Sequence, residues 1–317
     1  MAVFCVATQN YQYLQCSFYS LTGSLGYLLN FASENTEHMT TQEFIAAAFL
    51  EDVGSGDYST LASIPADAKG KAVLKIKEEG ILAGMQLAQD IFHHLEEDTK
   101  FTLYKKDGDA VNDGETAFTV EASVHTILKA ERLVLNCMQR MSGIATLTNK
   151  YADKIKDYKT KILDTRKTTP LFREYEKQAV RIGGGYNLRM GLYDMIMLKD
   201  NHIDFCGGIE QAIQKTNEYL EANDLNLKIE IETRNLDDVR RVLAVGNVYR
   251  IMLDNCSPEL LEEAIELIGG KFETEASGGI NLDNIISYAR TGVDYVSIGA
   301  ITNRAVSMDL SLKAHQI

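Results

Sequence analysis

The chain has 317 residues, of which 45% are hydrophobic and 24% charged, a composition typical of a globular protein with a substantial core. Its formal net charge of -13 argues against general binding to nucleic acid, which is itself polyanionic. Five scattered cysteines without a Cys-x-x-Cys pair argue against a zinc site or a disulfide framework and favour a reducing, cytoplasmic location. The chain contains no run of about 18 apolar residues, so no membrane span is predicted.

The first part of the chain is predicted to contain an extension followed by a small α+β layer. Residues 1–38 show weak periodicity and contain no Lys or Arg, which argues against a signal peptide. Helical patterns begin at Thr40 or Thr41 and at Gly84, and strand-like stretches fall at 71–77, 101–105 and 116–120. Strands and helices are grouped here and do not alternate strictly, as in α+β folds.

A long helical pattern follows, from residue 124 to about residue 156. Gly143 within it is interpreted as a break or a point of close packing, not as a chemical group. Arg132 and Arg140 interrupt this helical region, and each is a candidate for either a surface or a site residue.

From residue 161 onward, short apolar strands alternate with helices. The predicted strands are 161–163, 195–198, 228–231, 250–253, 272–275 and 295–298. Repeated strand–helix units imply a parallel sheet, either open or closed into a barrel, and six strands are fewer than the eight of a full barrel.

Polar or small residues stand where these strands end. In a parallel barrel the carboxyl ends of all strands gather on one face, where an active site is built. A single charged strand end is unremarkable, but six successive ones favour a functional site. The strand-end groups are Asp164-Thr165-Arg166-Lys167, Lys199-Asp200-Asn201-His202, Glu230 with Glu232, Asp254-Asn255, Ser277-Gly278-Gly279 and Gly299-Ala300.

The stretch 161–199 carries a local excess of positive charge. It holds eight Lys or Arg residues and four acidic ones, inside an acidic chain. Cations concentrated in this way indicate a pocket for a polyanion. For Lys177 and Arg181, which lie at helical spacing, a solvated helix face is the simpler interpretation. The other candidates lie where a predicted strand or helix gives way to a loop: Arg166, Lys167, Arg189 and Lys199.

The residue types at the strand ends predict different tasks. Arg offers a bidentate fork for carboxylates, so the early, cationic ends suit an anionic substrate. The acidic middle ends suit a developing positive charge or a divalent metal. Glycines let backbone N–H groups approach a phosphate closely, which suits the last two ends. Together these tasks indicate phosphoribosyl transfer from an activated ribose diphosphate.

Over about residues 40–317 the chain resembles quinolinate phosphoribosyltransferase, also called nicotinate-nucleotide pyrophosphorylase (carboxylating). Each matching stretch alone is weak, but all of them in the same order are highly specific. The stretches are Glu51-Asp52-x-Gly54-x-Gly56-Asp57, Glu131-Arg132-x-x-Leu135-Asn136, Gln139-Arg140-x-Ser142-Gly143-Ile144-Ala145-Thr146, Asp164-Thr165-Arg166-Lys167-Thr168-Thr169-Pro170, Lys199-Asp200-Asn201-His202, Glu230-x-Glu232, Leu253-Asp254-Asn255 and Ser277-Gly278-Gly279.

The resemblance implies an α/β fold class: an incomplete α/β barrel of about six parallel strands, residues 151–303, preceded by an α+β sandwich domain, residues 39–150. Residues 304–317 are a candidate addition to the sandwich domain. The implied reaction joins quinolinate and phosphoribosyl diphosphate, with Mg²⁺, into nicotinate mononucleotide, CO₂ and diphosphate for NAD biosynthesis. The implied assembly is a homodimer, or a set of dimers with shared active sites, without nucleic-acid or membrane partners.

The resemblance also implies residue roles. Arg132 is expected to reach into the site of a neighbouring subunit. Glu232 and Asp254 are expected to face the ribose and the metal, and no side chain is assigned as a strong base. Quinolinate and diphosphate are expected to bind Arg166, Lys167, Arg189 and Lys199. The 5-phosphate is expected to bind Ser277, Gly278, Gly279 and Gly299. The catalytic candidates are Lys167, Lys199, Glu232 and Asp254.

Three places depart from the family pattern. Leu188 stands where a histidine is usual, which removes a polar contact expected near the pyridine dicarboxylate. Leu171 replaces a glycine after Pro170, and Asn303-Arg304 replaces a His-Ser pair. The change at Leu188 bears most on the choice of acceptor.

Three alternative functions are kept open. The chain is alternatively a related phosphoribosyltransferase of altered acceptor specificity. It is alternatively a Schiff-base aldolase of the barrel type that uses Lys199 as its nucleophile. A third alternative is a non-catalytic paralogue that binds metabolites. His202 is interpreted either as a site residue or as a structural residue that orients its strand end.

Overall fold

The computed structural model describes residues 39–315, and from Thr41 onward these residues form one compact unit. The extension predicted for residues 1–38 lies outside the described residues. No helix within the described range is both long enough and apolar enough to cross a membrane.

The described chain contains eleven helices and twelve strands. The helices are α1 (Thr41–Val53), α2 (Tyr58–Ser63), α3 (Met85–Leu95), α4 (Val124–Lys154), α5 (Arg173–Ile182), α6 (Asp200–Cys206), α7 (Ile209–Ala222), α8 (Leu236–Val245), α9 (Pro258–Ile268), α10 (Ile285–Arg290) and α11 (Ala300–Asn303). The strands are β1 (Lys69–Ile76), β2 (Gly80–Ile81), β3 (Lys100–Leu103), β4 (Ala110–Val111), β5 (Thr116–Ser123), β6 (Lys161–Leu163), β7 (Ile196–Leu198), β8 (Ile229–Thr233), β9 (Arg250–Asp254), β10 (Glu273–Ser277), β11 (Tyr295–Ser297) and β12 (Leu310–Ala314).

An antiparallel sheet with the strand order β12-β1-β5-β3 forms one layer. Strand β12, near the end of the chain, pairs with β1, so that Leu74 lies opposite Leu312. Phe92 of α3 and Phe118 of β5 are fully buried, and each meets the ring of Phe101 edge-on. Helix α4 packs on β1, β5 and β12, and α3 packs beside α4 and reaches β3 through the Phe92 ring.

A second sheet is entirely parallel, with the order β6-β11-β10-β9-β8-β7. This confirms the predicted fold class, a six-stranded incomplete α/β barrel accompanied by an α+β layer. Strands β6 and β7 are the two edges of this sheet. Beyond the β6 edge, the segment after α5 runs alongside, since Tyr186 N donates to Ile162 O at 2.8 Å and Asp164 N donates to Tyr186 O at 3.1 Å.

Helix α4 is the longest of the described helices and contacts both sheets. Its 31 residues correspond to about 46 Å of helix. Ser123 caps it by accepting a hydrogen bond from Thr126 N at 3.1 Å. The helix is continuous through Gly143, where an added Cβ would lie 2.0 Å from the carbonyl oxygen of Val306. The close packing interpreted for Gly143 is confirmed, and the alternative break is absent.

Several short elements were not predicted, including α2, α6 and β12. Helices of six or seven residues contain fewer than two turns, so their apolar residues establish no period. Strand β12 is stabilised by its pairing with β1, a partner that sequence patterning within the strand itself does not reveal.

We expect Gly143→Ala to destabilise the protein by about 2 kcal/mol, because the clash with the Val306 carbonyl outweighs the better helix propensity of alanine. Urea unfolding followed by circular dichroism measures the change. Asn149→Ala is the matched control, since Asn149 is exposed on the same helix. Equal stability of the two variants would contradict the packing argument.

Candidate active site

The carboxyl ends of the six parallel strands lie at one edge of the sheet. In the strand register, Glu232 lies opposite Met252, which precedes Asp254 by two residues on the same face. Asp254 in turn lies opposite Ser277, and Ser277 lies opposite Ser297. The structure therefore brings Glu232, Asp254 and Ser277 to one edge from three neighbouring strands.

Lys199 and Glu232 form an ion pair across the β7 and β8 ends. The Lys199 Nζ lies 2.7 Å from Glu232 Oε1, and Asp200 N donates to Glu232 Oε2 at 3.4 Å. A Schiff-base lysine reacts as a free amine in a desolvated pocket. Because the Lys199 side chain is 45% exposed and bound to a carboxylate, this geometry does not favour the aldolase alternative.

His202 has a structural contact at the same place. Its Nδ1 accepts a hydrogen bond from Lys199 N at 3.0 Å, which closes the first turn of α6. This geometry supports the structural interpretation of His202, which holds Lys199 at the start of the helix.

The guanidinium groups of Arg166 and Arg189 repel each other at the β6 side of the edge. Burial, and next the charge of Arg166, lower the pKa of Arg189. Arg189 Nη1 donates to Met195 O at 3.4 Å. The Nε of Arg166 is buried without a hydrogen-bond partner among residues 39–315. A pair of partly desolvated guanidinium groups in this state favours binding of an anion with several oxygens.

A buried network after β6 positions the segment that carries Arg189. Asp164, fully buried, forms an ion pair with Lys177 and accepts a hydrogen bond from Leu188 N at 2.9 Å. Asn187 Nδ2 also donates to Asp164. Burial raises the pKa of Asp164 and lowers that of Lys177, while each charge opposes the other's shift.

The prediction of a solvated helix face is therefore wrong for Lys177, whose side chain is 1% exposed. It is right for Arg181, which is exposed. The helical spacing alone did not reveal that Lys177 faces the first strand end, because its partner Asp164 precedes the helix and follows β6.

The last strand ends are shaped by glycines. Gly278 and Gly279 have φ angles of 93° and 67°, which L side chains rarely adopt, and a Cβ on Gly278 would lie 2.2 Å from Asn255 Oδ1. A Cβ on Gly299 would lie 3.0 Å from Lys167 Cδ. The Lys167 side chain from the β6 end thus lies against the backbone at the β11 end.

No contact among the described residues 39–315 brings Arg132 to this edge. It lies exposed on α4, and among residues 39–315 it forms no hydrogen bond or ion pair. Glu230 also differs from the prediction. It was grouped with the strand-end residues, but it is fully buried and does not lie at the strand end.

Glu230 belongs to an ion cluster inside the sheet that sequence reasoning missed. Arg250 Nη1 lies 2.8 Å from Glu275 and 3.9 Å from Glu230, and Arg250 Nη2 lies 2.9 Å from Glu273. Burial, followed by the neighbouring Glu275, raises the pKa of Glu230 well above its ordinary value. The sequence feature that could have revealed this cluster is the two-residue spacing of Glu230 and Glu232. That spacing places both side chains on the same face of β8 at different depths.

The strand-end carboxylates of residues 39–315 do not by themselves make a complete metal site. Within the described part of the chain, no group of three or more His, Cys, Asp or Glu residues is arranged to hold a metal ion. Glu232 and Asp254 supply oxygen donors of the kind that Mg²⁺ prefers, but too few for an octahedral shell. These residues fit a metal that is bound chiefly by a ligand's own oxygens.

Comparison with known proteins identifies the group to which the chain belongs. The family model for the C-terminal domain of quinolinate phosphoribosyl transferase matches residues 144–313, and the model for its N-terminal domain matches residues 57–142. The chain belongs to the quinolinate phosphoribosyltransferase family.

Individual quinolinate phosphoribosyltransferase relatives match over most of their length. A mitochondrial quinolinate phosphoribosyltransferase [decarboxylating] 2b of Nicotiana tabacum is 44% identical, over 86% of this chain and 81% of the relative. A probable nicotinate-nucleotide pyrophosphorylase [carboxylating] of Bacillus subtilis is 42% identical, over 87% and 93%. The crystal structure of NadC from Streptococcus pyogenes superposes with a TM-score of 0.82 at 39% identity, over 89% of this chain and 100% of that one.

The departure of this quinolinate phosphoribosyltransferase family member at Leu171 has a structural consequence. Leu171 has a φ of 63°, a left-handed conformation that costs a residue with a Cβ about 1–2 kcal/mol. Its side chain is 75% exposed, so little packing offsets that cost.

We expect Leu171→Gly to stabilise the protein by up to about 1 kcal/mol, because glycine adopts this φ without steric strain. Urea unfolding midpoints measure the effect. Leu171→Ala is the control, since alanine keeps the Cβ and the strain. A glycine variant no more stable than the alanine variant would refute this explanation.

Proposed function

We propose that this chain transfers the phosphoribosyl group of phosphoribosyl diphosphate to quinolinate, and releases diphosphate and CO₂ to give nicotinate mononucleotide. One observation carries the proposal: the Arg166 and Arg189 guanidinium groups lie on the same strand-end edge as the Lys199–Glu232 ion pair. Anion recognition and stabilisation of a sugar cation therefore take place side by side.

Quinolinate is assigned to the two guanidinium groups. Arg166 and Arg189 repel each other, and the buried Arg166 Nε has no partner within residues 39–315. An aromatic dicarboxylate supplies one carboxylate for each guanidinium, which offsets the repulsion and satisfies the buried donor. Membership of the quinolinate phosphoribosyltransferase family supports this choice of acceptor.

The 5-phosphate of the donor is assigned to Ser277, Gly278, Gly279 and Gly299. The positive φ angles of Gly278 and Gly279 turn the backbone sharply after β10. The Asn255 side chain lies against Gly278, whereas a Cβ added to Gly279 would meet no atom within 4 Å. Backbone N–H groups in such a turn form a concave anion site. Lys167, which lies against Gly299, is placed to neutralise a phosphate oxygen.

Mg²⁺ is the proposed cofactor, held mainly by the diphosphate and in part by Glu232 and Asp254. The two carboxylates supply oxygen ligands, and the donor's diphosphate supplies the others. When bound, Mg²⁺ neutralises charge on the leaving diphosphate.

The transfer step breaks the C1–O bond of the donor and forms a bond between C1 and the quinolinate nitrogen. The electron pair of the broken C1–O bond leaves with diphosphate. The ribose then passes through an oxocarbenium-like state that the carboxylates of Glu232 and Asp254 stabilise. Lys167 and Lys199 hold the departing negative charge, and the Lys199 ion pair also orients Glu232.

Decarboxylation follows transfer. The new bond makes the ring nitrogen cationic, so the pair of electrons left at C2 by departing CO₂ is stabilised by the adjacent positive charge. A proton from solvent then completes the ring. Arg166 and Arg189 need only release one carboxylate, and no side chain acts as a strong base.

The proposed assembly is a homodimer, or a set of dimers, in which Arg132 enters the neighbouring subunit's site. Its exposure and its lack of a partner within residues 39–315 support this, because an arginine so placed is available to a second chain. The cytoplasmic location remains a prediction, since some plant relatives carry mitochondrial or chloroplastic in their names.

We expect the protein to form nicotinate mononucleotide from quinolinate, phosphoribosyl diphosphate and Mg²⁺, as measured by liquid chromatography with mass detection. Reactions with nicotinate as the acceptor, or with a chelator in place of Mg²⁺, should yield none.

Glu232→Gln should lower kcat by about 10²–10³-fold, because it removes charge stabilisation of the transition state.

The matched control for that variant is Glu262→Gln, since Glu262 is an exposed acid on α9. Product from nicotinate alone would establish the altered-acceptor alternative. Donor binding without turnover would establish the non-catalytic one.

We expect Leu188→His to lower the KM for quinolinate, because it supplies a polar contact next to the segment that carries Arg189. The backbone of Leu188 is already fixed by Asp164 and Lys177, so the substitution changes the side chain and leaves its support intact. Steady-state kinetics measure the change, and Leu188→Phe controls for ring size. An unchanged KM would show that position 188 does not contact the acceptor.

A further inference from the structure

The stretch Gln139–Thr146 was part of the family resemblance, yet none of its side chains lies among the proposed substrate contacts. In the structure its polar side chains bind other segments. Gln139 Nε2 donates to Leu310 O at 3.0 Å, Ser142 Oγ accepts from Ala83 N at 2.9 Å, and Thr146 Oγ1 accepts from Ile81 N at 2.8 Å. These contacts attach α4 to β12, to β2 and to the loop that follows β2. Arg140 is different, because its guanidinium group binds helix α5 and the segment that follows β11.

Arg140 uses all three nitrogens of its guanidinium group. Nε donates to Glu176 Oε1 at 2.9 Å, and Nη1 donates to Ala305 O at 2.8 Å. Nη2 donates to Thr302 O. The two carbonyls lie at and just beyond the end of α11, where a helix leaves carbonyls without intrahelical partners. One side chain therefore ties α4 to both α5 and the segment after β11.

Two of these partners, Glu176 and Thr302, also bind the loop that carries Lys167. Glu176 is fully buried, and it accepts from Thr169 Oγ1 at 2.8 Å and from Thr169 N at 3.2 Å. Thr302 Oγ1 donates to Lys167 O at 3.0 Å and lies 3.1 Å from Gly299 O. The loop is thus held at two positions, Lys167 and Thr169, by groups that meet at Arg140.

Lysine cannot make the same set of contacts. Arg presents its donors in a rigid, planar fork, whereas the lysine ammonium is a single point on a flexible stem. Three acceptors on two separate segments therefore require arginine here. Gly143, one turn further along α4, holds the helix against the backbone at Val306, so the fork cannot be displaced outward without cost.

We propose that Arg140 is a positioning residue for phosphoribosyl transfer, which holds the Lys167 loop against Gly299 so that both face the donor's phosphates. This inference rests on the proposed function. Arg140 acts through Thr302 and Glu176, and its side chain is 22% exposed.

Arg140→Lys tests the assignment, because it keeps a positive charge beside Glu176 but loses the fork. The matched control is Arg250→Lys, which removes another buried fork at the amino end of β9, away from the proposed site. kcat and both KM values are measured at a temperature where all proteins are folded by circular dichroism. We expect kcat/KM for phosphoribosyl diphosphate to fall about 10²-fold in Arg140→Lys, with the KM for quinolinate changed less. Arg250→Lys should retain the wild-type value.

A second pair of variants does not depend on the folding of Arg140→Lys. Thr302→Val removes the hydroxyl bond to the Lys167 carbonyl, and Thr302→Ser retains it. We expect a loss in donor kcat/KM for valine and recovery for serine. Equal losses in Arg140→Lys and Arg250→Lys, or no difference between the two Thr302 variants, would overturn the positioning role.

Calorimetric titration with phosphoribosyl diphosphate and Mg²⁺ separates this inference from the proposed function. An active wild-type enzyme with an unimpaired Arg140→Lys variant overturns the positioning role alone. A wild-type protein that forms no nicotinate mononucleotide overturns the proposed function, and weaker donor binding by Arg140→Lys would still support the positioning role. Wild-type protein that also fails to bind the donor overturns both.

Discussion

Parallel hydrogen bonding of the six strands is the constraint on which the site depends. Because the strands run in one direction, their carboxyl ends share an edge, whatever the distances between them along the chain. The position of a side chain along its strand then determines how far below this edge it lies. Glu232 lies at the edge, whereas Glu230, on the same face, is buried with Arg250. A shift of one residue would turn these side chains to the opposite face.

Ion pairs inside the protein hold the segments that carry the cations of this edge. The Asp164–Lys177 pair fixes the backbone before Arg189, and the Arg140–Glu176 pair fixes the loop of Lys167. A buried pair of this kind is weak support for stability, but loss of one partner leaves an uncompensated charge. Specific placement of Arg189 and Lys167 is the simpler explanation for keeping such pairs inside the protein.

The sequence predicted much of the fold because its strands and long helices have clear periods, and residues that end successive strands are polar. It predicted less of the supporting contacts. Lys177 was interpreted as a surface residue, since helical spacing gives the face of a helix but not what that face meets. Arg140 remained ambiguous for the same reason, because two of its three acceptors are backbone carbonyls, of Thr302 and Ala305, which carry no sequence signature. Contacts across long separations depend on tertiary packing, which local pattern does not encode.

Strand β12 has a further consequence for how the molecule is made. It pairs with β1, although every strand of the parallel sheet lies between the two in the chain. During synthesis the antiparallel layer therefore lacks an edge partner until the parallel sheet has already been translated. Such distant pairing slows folding, and β1 presents unpaired backbone groups to other chains in the meantime. The antiparallel layer is therefore completed only after every strand of the parallel sheet has been synthesised.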